Sequence, residues 1–99
     1  EVTTLALELS AAIDAARTAV ESADARRAVL EASVDQWREL ARIEALRIEA
    51  GIGLQRDVLE AQSGLFRAEA ESLIARVRFA RASGTLSRAW VADLLRGTP

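Results

Sequence analysis

From Leu5 to Ala50, apolar residues recur in alternating steps of three and four: Leu9, Ile13, Ala16, Val20, Ala23, Leu30, Val34, Trp37, Ala41 and Ile48. Two charged residues, Arg27 and Glu44, fall on the same stripe. This heptad spacing predicts a helix packed lengthwise on another helix. No Pro or Gly interrupts the run, and Ala, Leu, Arg and Glu, all strong helix formers, dominate it. Acid-to-arginine pairs three residues apart recur at Asp14/Arg17, Asp24/Arg27, Asp35/Arg38, Glu39/Arg42 and Glu44/Arg47. Residues at that spacing are neighbours on a helix surface, so these pairs support helix and mark a solvated side.

A second periodic run follows, with Val58, Ala61, Leu65, Ala68, Ser72, Ala75, Phe79, Ala82, Leu86 and Ala89 along its seam. Large and small residues alternate there, which lets a partner backbone come close. Beside the seam, Leu59, Phe66, Leu73 and Ala80 form another stripe, so the apolar face is wider than one partner helix needs. Val58, Leu59, Leu65, Phe66, Leu73 and Phe79 are the candidate inter-helix packing residues, with Leu59, Phe66 and Leu73 partly facing a neighbour.

Between the runs stand Ala50-Gly51-Ile52-Gly53. Gly51 suits the left-handed conformation that ends a helix, and Asp57 and Glu60 then place negative charge where the next helix dipole favours it. A short loop between long helices makes them antiparallel. The pattern therefore predicts an all-α fold: one antiparallel two-helix coiled-coil hairpin across residues 1–99. Its helices run over about 4–50 and 56–95, with a tip at about 51–55. Folding about Ile52/Gly53 sets residue i opposite roughly residue 105 − i.

Composition narrows the chemistry. The chain is 51 % hydrophobic, but alanine supplies much of that and buries little area, so two such helices need further partners or a larger assembly. All 13 basic residues are Arg. The first fifty residues carry six Arg and ten acids, net −4; the remaining forty-nine carry seven Arg and five acids, net +2, an asymmetry that suits antiparallel pairing. A net charge of −2 and a sequence pI near 5.2 disfavour nucleic acid as a partner. With no His, Cys, Lys or Tyr, most general bases, nucleophiles and metal ligands are missing, so neither an enzyme, a metal site nor a cofactor is expected. The glycines have no preceding strand and no following Gly-Lys-Ser/Thr, so they form no phosphate loop.

The stretch from residue 48 to residue 90 resembles the TolC-type outer-membrane efflux protein family, in the second helix pair of its α-helical barrel. The shared features are Ala50-Gly51 at a turn, Asp57-Val58-Leu59-Glu60-Ala61-Gln62, Leu65-Phe66, Ala68-Glu69-Ala70-Glu71 and Leu86-Ser87-Arg88-Ala89. Ile48 stands where the family commonly has an aromatic residue, and Trp90-Val91 where it closes with Leu-Gly. The resemblance implies one hairpin of a longer chain, a segment of a trimeric α-helical barrel without its membrane-spanning strands. It implies a place in the periplasmic tunnel of an outer-membrane efflux or type I secretion channel. The self-trimer, a periplasmic adaptor protein and, indirectly, an inner-membrane pump would be the partners. Ala50, Gly51, Ile52, Gly53 and Leu54 would then form the adaptor-binding tip, and Asp57 and Glu60 would line the entrance constriction. Heptads and capping alone also fit an antiparallel coiled-coil interaction module of a larger soluble assembly.

Overall fold

A computed structural model of the chain describes residues 2–96. They form two helices, α1 (Val2–Glu49) and α2 (Gln55–Arg96), packed against each other as an antiparallel hairpin, with no strand among the described residues. Both helices begin and end within two residues of the positions expected from the pattern.

The turn is built from backbone bonds. Gly51 takes φ +77°, a left-handed conformation open to glycine and strained for other residues. Its N–H donates to the Ile48 carbonyl at 3.0 Å, and the Ile52 N–H donates to the Arg47 carbonyl at 3.0 Å. Those two bonds constitute a Schellman motif, which satisfies carbonyls that the end of α1 would otherwise leave open. The Gly53 N–H donates to the same Arg47 oxygen at 3.0 Å. A Cβ on Gly53 would lie 2.8 Å from the Ile48 nitrogen and 2.9 Å from the Arg47 carbonyl carbon. The two glycines thus serve different needs: Gly51 supplies a dihedral angle, and Gly53 supplies space. At the start of α2, the Leu54 carbonyl accepts from the N–H groups of Asp57 at 3.0 Å and Val58 at 3.3 Å. Leu54 has no side-chain acceptor to cap the helix, so the acid in the first turn, Asp57, is the favourable charge there.

The chain divides into two compact units. One comprises residues 26–75 and contains the turn. Its buried seam is Leu30, Val34 and Glu44 from α1 against Ala61, Gly64, Ala68, Ser72 and Ala75 from α2. Trp37, Ala41, Val58 and Leu65 are half-buried beside them. Small residues supply the whole α2 side of this seam, which brings the two backbones close. The other unit takes residues 1–25 and 76–99. There Ile13 and Ala16 are buried, while Leu9, Val20, Ala23, Phe79, Ala82, Leu86 and Ala89 are half-buried.

Two seam positions of α1 depart from simple expectation. Ile48 is exposed, because the turn lays Gly53 over the Arg47–Ile48 backbone and no facing side chain covers it. Glu44, paired on paper with Arg47 on a solvated side, is buried at 8 % exposure. Its heptad position turns it toward α2 whatever its charge.

Candidate functional site

The turn half of the hairpin presents three surfaces. The first is the tip itself. Ala50, Gly51, Ile52 and Leu54 are exposed, and Gly53 is half-buried under its backbone contacts. Ile52, at 77 % exposure, is an apolar side chain held out in water by the Schellman turn.

The second is a groove of about 690 Å³ beside the start of α2. Trp37, Leu59 and Gly64 provide apolar lining; Glu60, Arg56 and Arg67 bring charge to it, and Gln55 and Ser63 complete it. Gly64 is buried because the indole of Trp37 sits directly on it. A Cβ at that position would collide with the ring atoms Cζ3, Cε3 and Cδ2. Glycine in the middle of a helix lowers its stability, so a buried one signals close approach of a neighbour. The heptad count puts Leu65 on the seam, whereas Gly64, one residue before it, is the more deeply buried of the two.

The third is the stripe of Leu59, Phe66 and Leu73, exposed at 56 %, 75 % and 60 %. They lie seven residues apart, so they share one side of α2, next to the seam. Val58 and Leu65, of the same packing set, turn into the hairpin and are half-buried. Phe79 is likewise half-buried, in the other unit.

Asp57 and Glu60 differ in surroundings. Asp57 is half-buried and lies 3.7 Å from the Nε of Arg56. Glu60 is exposed on the wall of the groove. Away from the tip, charged side chains pair along and across the helices. Arg27 Nη1 donates to Glu31 Oε2 at 2.9 Å, Arg38 lies 3.5 Å from Asp35, and Arg38 also reaches Glu69 on α2 at 3.8 Å. Together with Trp37 on Gly64, the Arg38–Glu69 contact brackets the register counted from the turn. Arg42 donates through Nε to Glu39 at 3.0 Å. This hydrogen bond, with the arginine charge, holds the Glu39 carboxyl below the usual glutamate range and raises Arg42 above its own.

Among the described residues, no group of three or more His, Cys, Asp or Glu is placed to hold a metal ion, and no helix is long and apolar enough to cross a membrane. Comparison with family models, curated proteins and solved structures finds no match to this chain.

Proposed function

We propose that this chain is a periplasmic tunnel hairpin of a trimeric outer-membrane efflux or secretion channel of the TolC type. The tip would dock an adaptor protein, and the start of α2 would line the entrance. The observation that carries the reading is the order of motifs along residues 50–89: Ala-Gly, then Asp-Val-Leu-Glu-Ala-Gln, then Leu-Phe, then Ala-Glu-Ala-Glu, then Leu-Ser-Arg-Ala. Two features of the hairpin support it. The first motif coincides with the glycine-capped turn, and the second with the opening turns of α2. Leu59, Phe66 and Leu73 leave an apolar stripe for neighbouring helices to cover.

In this reading, Asp57 and Glu60 from three protomers surround one axis. Like charges held close in partly desolvated surroundings repel by about 1 kcal/mol or more per pair. Such a ring favours cations at the entrance and resists tight closure unless Arg56 or adaptor residues offset it. The test has two parts. In cells that make the full protein, fractionation should recover it with the outer membrane, and a cysteine at Ile52, unique in this cysteine-free segment, should cross-link to an adaptor. In planar bilayers, the full-length Asp57→Asn, Glu60→Gln channel should lose cation selectivity while remaining trimeric. Recovery from the cytosol, or unchanged selectivity, would count against the channel and against the acidic ring respectively.

A further inference from the structure

Glu44 is the one buried charged residue among those described. Its Oε1 lies 3.5 Å from Nη1 of Arg47, whose side chain is 55 % exposed. Its Oε2 is sealed from solvent and has no hydrogen-bond partner. A carboxylate oxygen stripped of water and given no donor loses its hydration without compensation. One long contact from the other oxygen to a solvated guanidinium offsets little of that.

The surroundings add to the misfit. Between the Trp37–Gly64 contact and the turn, the small side chains of Ala41 and Ala61 stand with half-buried Ile43 and Val58, and Ile48, Ile52 and Leu54 are exposed. Little apolar area closes this end. The register counted from the turn sets Glu44 across from about Ala61, the most deeply buried residue of the α2 seam. The charged group that pairs with Glu44 is Arg47, on its own helix.

We propose that Glu44 is a weak point built into the hairpin, which lets the turn end, roughly residues 40–62, open locally while the Trp37–Gly64 contact holds the rest of that unit closed. In the closed state Oε2 is dry and unpaired; on opening it gains water. The carboxylate thus favours the open state over the closed one, and low local stability is concentrated in one cooperative segment. The device depends on this hairpin's own packing and stands apart from the channel reading.

The test is backbone hydrogen exchange on the whole chain, resolved by residue, with circular dichroism to confirm that each variant is folded. Glu44→Leu keeps a similar volume without charge, and should slow exchange at the end of α1 and the start of α2 about tenfold or more, while amides of residues 28–36 change little. Glu44→Gln should slow the same amides to a smaller extent. Arg47→Gln, which leaves the carboxylate wholly unpaired, should speed them. If Glu44 instead stabilises the turn as an ion-pair partner, removing either residue speeds exchange. Exchange at the turn end that is unchanged or faster in both Glu44→Leu and Glu44→Gln overturns the proposal. So does slowing that spreads equally to residues 28–36, because the opening would then have no boundary at Trp37.

Discussion

The indole of Trp37 on α1 occupies the space where a side chain on residue 64 of α2 would begin. The contact joins the largest residue type to the smallest, and the missing side chain at residue 64 lets the ring lie across a helix whose other buried positions are alanine and serine. It also ties the register of the two helices at a defined point. A shift by one heptad would put the ring against Asp57 or Glu71, where side chains fill the space.

Gly64→Ala tests this relationship, because two effects oppose each other. Alanine improves helix propensity by roughly 1 kcal/mol, but its methyl group overlaps the ring, and overpacking typically costs about 1–3 kcal/mol. The overlap involves three ring atoms, so the clash should prevail, with a net loss of about 1 kcal/mol in urea denaturation. In a Trp37→Ala background the same change should become neutral or stabilising. A double-mutant cycle that shows no coupling would mean that the ring leaves its seat at no cost.

The turn glycines should respond unequally. Gly51→Ala meets no atom within 4 Å but strains the backbone, a cost of about 1–2 kcal/mol. Gly53→Ala drives a methyl group into the Arg47–Ile48 backbone, which has no side-chain freedom to yield. Gly53→Ala should therefore destabilise more, by about 2 kcal/mol or above, and should disturb the amide resonances of Ile52 and Gly53. Equal losses in thermal melts would show that the loop relaxes around residue 53.

Self-association should depend on the exposed stripe. Phe66→Ser with Leu73→Ser removes two large apolar side chains that are 75 % and 60 % exposed, so the folded hairpin should lose little stability by circular dichroism. In sedimentation velocity at high protein concentration, the unaltered chain should form larger species and the double variant should not. If both sediment alike as monomers, the stripe is not a contact between copies of this chain.

Glu39 supplies a pH-dependent reporter. Its hydrogen bond to Arg42 lowers its folded-state pKa, so the ionised form is favoured in the folded chain. The stabilisation is present at neutral pH, above the unfolded-state value, and fades as pH falls through the lowered folded-state value. Both side chains are well exposed, so the effect on overall stability should be slight. In a side-chain carboxyl NMR titration, Glu39 should titrate below the ordinary glutamate range, and Arg42→Gln should return it there.

Much of this hairpin is legible in the pattern of residues alone. Unbroken heptads, strong helix formers and one glycine pair are enough to specify two antiparallel helices and their turn, because helix propensity and capping act between residues close in sequence. The α2 seam through Ala61, Ala68, Ser72 and Ala75 follows from periodicity for the same reason. The facing of individual residues across the hairpin does not. Glycine at position 64 has no local reason in the helix pattern; its reason is the Trp37 ring resting on it, a contact between residues twenty-seven apart in the chain. Glu44 had a suitable surface partner three residues away, yet its heptad position carried it into the interface, where one of its oxygens has none. Gly53 became necessary only once the loop lay against the Arg47–Ile48 backbone. Local preferences decide which segments are helical; which residue fills which gap is decided by close packing, which exists only after the helices have met.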